Sequence, residues 1–222
     1  MLAQGLALHQ QGQVAQAQAL YSAALQLAPD LVDAQHLLGV TLGQTGAAAQ
    51  GEQWVRKAVQ ARPDFGPYRN SLGRLLLLQG KMDQAVEQLR EALRLSPQNA
   101  ESHFNLAEAE FAAGRLDEAA AHYEQALKLQ PTHAAARFGL AQAVRMRQGW
   151  AAALPHYQLA AAMAPEAPMG QYHLALALHM GGHVLQALEI YQRINARWPE
   201  FADAWVGTGS VMFGLNRLRE SV

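Results

Sequence analysis

Six prolines fall 34 residues apart, at Pro29, Pro63, Pro97, Pro131, Pro165 and Pro199. So strict an interval means a repeated unit. A repeat of this length is one supersecondary element, which buries its apolar face only by stacking on its neighbours. A glycine keeps the same step at Gly12, Gly46, Gly80, Gly114 and Gly182 and slips by one to Gly149. In the seventh register it gives way to Asn216, the next best residue for a left-handed turn. Each unit therefore reads as two helices about a turn. The proline ends the second helix because it lacks an N–H and disfavours helix in the residue before it.

Small and large residues alternate in the same register. The first helix carries Gly5, Gly39, Gly73, Ala107, Ala141, Ala175 and Gly209, with a leucine before it at Leu38, Leu72, Leu106, Leu140 and Leu174. The second carries a small residue (Ala17, Gly51, Ala85, Ala119, Ala153, Ala187) and, four places on, a large one (Tyr21, Val55, Leu89, Tyr123, Tyr157, Tyr191). Ala24, Ala58, Ala92, Ala126 and Ala160 follow three places later. Steps of three and four share one helical face. Small residues let two helices approach, and the bulky one fills the hole opposite.

Composition narrows the function. Hydrophobic residues are 50% of the 222, charged residues 16%, and the formal net charge is −1. Residues 1–111 hold 8 basic and 10 acidic side chains, and 112–222 hold 9 and 8, so no basic surface for nucleic acid is expected. The absence of cysteine excludes disulfides, thiol nucleophiles and Cys-ligated zinc. No apolar run is long enough to span a membrane, and the N-terminus does not read as a signal peptide, which makes the cytoplasm the default location. Fourteen arginines to three lysines, with abundant alanine, suit a GC-rich bacterial source. No phosphate-binding loop, zinc-protease or nucleophile-elbow motif is present. The segment Gly207-Thr208-Gly209 lies on a first helix and reads as packing. His179 and His183 are four apart, but Gly181-Gly182 separates them, so no metal or other cofactor is expected. His122 and His156 read as solvated surface.

The pattern resembles the tetratricopeptide repeat (TPR), W-x2-L-G-x2-Y followed by A, F, A and P at fixed offsets. The unit AESHFNLAEAEFAAGRLDEAAAHYEQALKLQPTH fits almost throughout. The resemblance covers the whole chain. It implies an all-α, right-handed superhelical solenoid of antiparallel helix pairs, with about six full repeats and a partial seventh. The units fall at about 1–31, 32–65, 66–99, 100–133, 134–167, 168–201 and 202–222 of a single array. Such arrays end in a polar-faced helix. None is read here, so the chain is expected to be a fragment of a longer protein, or to have its end covered by a partner.

Several positions depart from the repeat. Gly51 replaces alanine, at a helix-propensity cost of roughly 1 kcal/mol, and permits closer packing. Pro155 and the slip to Gly149 suggest a fifth second-helix that starts late, with the proline in its tolerant first turn. Glu110 stands at an apolar position and is expected near the rim or beside an arginine. Thr208 stands where other units carry leucine.

In TPR proteins the ligand lies on the concave face, at positions two, five, six, nine, twelve and thirteen of each first helix. Carried onto this chain, the resemblance implies a groove lined by His36, Asn70, Arg74, Glu101, Phe104, Asn105, Glu108, Phe138, Gln142, Arg145, Tyr172, His173 and His179. Leu78, Met146, Met169 and Met180 occupy further groove positions. Phe104, Phe138 and Tyr172 form an aromatic column that serves either a ligand or packing between first helices. The lysine–asparagine start of the chaperone-binding carboxylate clamp is absent. So is the asparagine ladder of O-GlcNAc transferase arrays, since only Asn105 is in register.

The function expected is a non-catalytic protein–protein interaction scaffold that binds a peptide or protein segment. Two alternatives stand beside it. One is the N-terminal substrate-recruiting region of a larger bacterial glycosyltransferase or sulfotransferase, whose TPR start is similar to LHQQGQVAQAQALYSAALQLAPDLVDAQHLLGV. The other is a self-assembling module, a homo-oligomer through its ends.

Overall fold

The computed structural model describes residues 1–220, and side chains as far as Asn216. Thirteen helices and no strands occur among the described residues: α1 (Leu2–Gln10), α2 (Val14–Leu27), α3 (Val32–Gln44), α4 (Ala48–Ala61), α5 (Gly66–Leu78), α6 (Met82–Leu95), α7 (Ala100–Ala112), α8 (Leu116–Leu129), α9 (Ala134–Gln148), α10 (Trp150–Met163), α11 (Pro168–Met180), α12 (Val184–Arg197) and α13 (Ala202–Glu220). No described helix is long and apolar enough to cross a membrane. The chain forms two compact units, Met1–Glu118 and Ala119–Val222.

The turns follow from backbone geometry. Gly12, Gly46, Gly80, Gly114 and Gly182 have φ between 73° and 87°, a region that a Cβ makes costly. In each case the next amide reaches back to a carbonyl in the last turn of the first helix, as in Gln13 N to Leu8 O (2.9 Å) and Arg115 N to Glu110 O (2.8 Å). These six-to-one bonds satisfy carbonyls that the helix end would otherwise leave open.

In the unit Met1–Glu118, Tyr21, Leu38 and Leu42 build one core cluster, and Val55, Leu72, Leu76, Leu89 and Leu106 build another. In the second unit, Ala175, Ile190, Tyr191, Ile194 and Val211 cluster. The small-against-large reading holds at close range. A Cβ on Gly5 would stand 2.6 Å from Tyr21, and one on Gly73 would stand 2.4 Å from Leu89. Gly39 and Gly51 face each other: a Cβ on Gly51 would lie 2.4 Å from the Gly39 carbonyl, and one on Gly39 would lie 2.7 Å from the Gly51 carbonyl. Gly51 is therefore a close-approach residue.

Several expectations need correction. The fifth second-helix does not start late: α10 begins at Trp150, in step with Val14, Ala48, Met82, Leu116 and Val184. The slip is absorbed upstream, where α9 runs to Gln148 and Gly149 alone (φ 87°) makes the turn. Pro155 is consequently the sixth residue of α10, beyond the tolerant first turn, and the Ala151 carbonyl loses its helical amide partner. Asn216 makes no turn, because α13 continues through it to Glu220. No non-glycine residue takes positive φ among the described residues, and staying helical spares asparagine that cost. A Cβ on Gly209 would meet nothing within 4 Å, whereas one on Gly207 would stand 2.6 Å from Tyr191 of the preceding second helix.

Glu110 is not at a rim. It is fully buried and takes the arginine partner that was the alternative, with Arg90 Nη2 donating at 3.1 Å. Burial raises its pKa, opposed by Arg90 and Arg115. His156 is not solvated. It is half-buried, its Nδ1 is covered with no hydrogen-bond partner, and burial followed by the Arg137 charge lowers its pKa. His122 is also half-buried.

Candidate functional site on the first helices

The residues expected to line a groove divide into those consumed by packing and those left outward. In the unit Met1–Glu118, first helices are stitched by side-chain bonds one repeat plus one residue apart. His9 Nε2 meets Gln44 Oε1, and His36 Nε2 meets Ser71 Oγ, each at 2.8 Å. Asn105 Nδ2 donates to Asn70 Oδ1 at 3.0 Å, and the Tyr68 hydroxyl donates to Asp33. Arg62 lies over the Phe65 ring at 4.4 Å and within 3.8 Å of Asp33. Asn70, one residue out of ladder register, is engaged in this bond. Burial lowers the His36 pKa to about 4 despite the nearby Asp33 charge. Burial and the bond to Asp33 raise Tyr68 to about 12. His36, Asn70 and Asn105 thus hold helix to helix, whereas Arg74, Glu101 and Glu108 are exposed.

In the second unit the aromatic positions are half-buried against the large residues of the second helices. Phe138 meets Tyr157 at 6.0 Å and His173 at 5.0 Å. His173 stacks on Tyr157 at 5.7 Å, with rings 9° apart. Tyr172 packs on Tyr191 at 6.0 Å and Phe201 at 5.6 Å. Burial and then the Arg145 charge lower the His173 pKa, against a smaller opposing effect of Asp203. Arg145 lies 4.8 Å over Trp150. Gln142 and His179 are half-buried, as is Phe104 in the unit Met1–Glu118. His179 lies in the last turn of α11, and His183 stands at the N-cap position of α12, without a side-chain capping bond, across the Gly181-Gly182 turn.

Four large apolar side chains at groove positions stay exposed. They are Leu78 (58%), Met146 (54%), Met169 (46%) and Met180 (58%). Leu78, Met146 and Met180 occupy one register at the end of a first helix.

Two devices escape the small-and-large pattern. The fourth position of the first helix carries a donor in six successive units: Gln35, Arg69, His103, Arg137, Gln171 and Trp205. Gln35, Arg69 and Trp205 bond the carbonyl of the proline six residues earlier, at 2.8, 2.9 and 3.0 Å. The His103 ring does the same with Pro97 at 3.1 Å, whereas Gln171 turns to the Ala161 carbonyl. The second device is at position six, where Gly139 and Gly207 admit the large tyrosine of the preceding second helix. Reading each register for hydrogen-bond donors, as well as for size, would have found the first.

A family model described as "Tetratricopeptide repeat" matches residues 70–134, 111–168 and 145–200, and one described as "TPR repeat" matches residues 5–46. These matches cover more than half of the chain, which belongs to the tetratricopeptide repeat family. Comparison with curated proteins gave no match. Among solved structures, Pseudomonas aeruginosa pilF is 18% identical with a TM-score of 0.79, covering 94% of this chain and 95% of its own. MamA (AMB-1) is 26% identical, with a TM-score of 0.63 over 75% of this chain and 98% of its own. YrrB, described as a TPR protein with an unusual peptide-binding site, is 14% identical, with a TM-score of 0.65 over 85% of this chain and 97% of its own.

Proposed function

We propose that this chain is a non-catalytic protein–protein interaction scaffold that binds a peptide or protein segment on the outward face of its first helices. The observation that carries the reading is a register at the ends of first helices that stays exposed: Met146 and Met180 in the unit Ala119–Val222, and Leu78 by itself in the unit Met1–Glu118. On α3, α5, α7, α9 and α11 the other large apolar residues, apart from Met169, are buried or half-buried, so leaving this register exposed has no use in packing. Methionine is unbranched and polarisable, and it suits surfaces that adapt to a partner. In the unit Met1–Glu118, the exposed first-helix residues Arg74, Glu101 and Glu108 supply polar anchors. YrrB, of the same fold, is described as having a peptide-binding site, which is consistent with this use. The test is peptide display on the intact chain, with calorimetry of a selected peptide. Met146→Ser with Met180→Ser should weaken binding by about tenfold or more, about 1.4 kcal/mol, without lowering Tm. Unchanged affinity in that double variant contradicts the reading.

A second reading has its own observation. On α13, Trp205, Val206, Met212 and Phe213 are 53%, 72%, 52% and 64% exposed. That apolar face suits a second copy of the chain. Sedimentation over a range of concentrations tests it: mass rising with concentration supports self-association, and a constant monomer mass removes it.

A further inference from the structure

Helix α13 carries two apolar faces. One is buried: Ala204 and Val211 have no exposed surface and pack within the unit Ala119–Val222. The other is open, with Trp205, Val206, Met212 and Phe213 at 53%, 72%, 52% and 64% exposure. These four residues are placed symmetrically about Gly209. Trp205 and Phe213 lie four positions to either side of it, and Val206 and Met212 lie three to either side. At about 3.6 residues per turn, the four side chains also spread evenly around the direction of Gly209, away from Ala204 and Val211. Exposed Ala202 and Asn216, seven positions to either side, continue the stripe. Turned end to end, such a stripe meets a second copy of itself ring on ring and aliphatic on aliphatic. That self-complementarity is what a two-fold contact requires.

The centre of the stripe sets how closely two such helices approach. A Cβ on Gly209 would meet nothing within 4 Å, whereas in the same register one on Gly5 would stand 2.6 Å from Tyr21 and one on Gly73 would stand 2.4 Å from Leu89. The chain already builds one helix crossing on two glycines. Gly39 of α3 lies against Gly51 of α4, where an added Cβ would stand 2.7 or 2.4 Å from the other's carbonyl. Charge does not oppose the contact, because Asp203 is the one charged residue among the described side chains of α13, and it lies off the stripe. Area allows it. Half or more of each large side chain is open, on the order of 100 Å² apiece, so two copies present about 800 Å². That is about two thirds of the roughly 1,200 Å² of the smallest standard interfaces, before Ala202, Gly209 and Asn216 add theirs. A reversible dimer is therefore expected. We propose that α13 crosses the same helix of a second copy antiparallel at Gly209, with Trp205 on the partner's Phe213 and Val206 on the partner's Met212. The inference rests on the reading of α13 as a face for a second copy, and it names the geometry and the stoichiometry of that contact.

The test uses the full chain. Sedimentation should show a mass that rises with concentration and stops at two copies, because a two-fold contact closes on itself. The chain has no cysteine, so a single introduced one reports its own neighbours. Under mild oxidation Gly209→Cys should link to itself and give one covalent dimer. Val206→Cys mixed with Met212→Cys should link faster than either variant alone. Gly214→Cys, on another side of the helix, should link no faster than chance encounter allows. Gly209→Ala separates the contact from folding: the dilute chain should be as stable as the parent or slightly more so, yet dimerise several-fold more weakly. Phe213→Asp should abolish the dimer with the helical circular dichroism intact. A mass that grows past two copies, Gly209→Cys linking no faster than Gly214→Cys, or unchanged dimerisation in Gly209→Ala overturns the two-fold contact and leaves self-association standing. A constant monomer mass at high concentration removes both.

Discussion

Gly39 and Gly51 show what one atom costs at a helix crossing. Helix propensity favours alanine over glycine by roughly 1 kcal/mol, so Gly51→Ala would stabilise an isolated helix. The added methyl would stand 2.4 Å from a backbone carbonyl, which cannot swing aside. Overpacking costs about 1–3 kcal/mol, and it wins here. Gly51→Ala should lower the midpoint of chemical denaturation, whereas Gly209→Ala, facing open space, should raise it slightly. His36 belongs to the same scale. Its pKa in the fold is about 4, below the ordinary 6.5, so the fold prefers the neutral ring. Its contribution is complete above pH 6.5 and is lost as pH falls from there to 4. Glu52 adds to the loss below pH 4.5. Burial raises its pKa, but bonds from Lys81, Gln79 and Arg56 outweigh burial and bring it to about 2. Glu110 acts in the opposite sense: its raised pKa means that stability is lost as pH rises above the ordinary carboxylate range. Denaturant titrations at pH 7 and pH 5 should therefore show His36→Gln losing less stability on acidification than the parent.

At the scale of the element, α10 is the exception that explains its neighbours. Five turns carry two residues beside the positive-φ glycine, and Gly149 stands alone. The helix still begins in step because its packing, through Ala153, Tyr157 and Ala160, outweighs turn chemistry. Pro155 removes one backbone bond from that helix, so Pro155→Ala should raise stability, by no more than about 3 kcal/mol, as measured by denaturant unfolding. Periodicity made the helix pairs legible, since each large second-helix residue from Tyr21 to Tyr191 is buried as its spacing implies. Where α9 ends was not legible, because a glycine moved by one residue is equally consistent with a late start or a long predecessor. The candidate site was legible only in part. Register identified which residues occupy first-helix positions. It could not show that His36, Asn70 and Asn105 bond their neighbours, because that depends on which rotamer meets which side chain across the interface.

For the whole chain, stability in a repeat array is close to a sum over neighbouring interfaces. The first helix, α1, has only Gly5 buried, so it has the least to hold it. Native-state hydrogen exchange should find α1 the fastest of the first helices, and α5 and α7, with six buried residues each, among the slowest. The same logic separates structure from use. Interfaces between repeats explain the tyrosines, alanines and glycines, and they leave Leu78, Met146, Met169 and Met180 unexplained. We propose that those residues meet a partner. The most direct measurement is an amide chemical-shift titration of the full chain with a display-selected peptide. Perturbations concentrated on the first helices, at Arg74, Leu78, Glu108, Met146 and Met180, are the predicted result. Perturbations confined to the second helices would contradict the account.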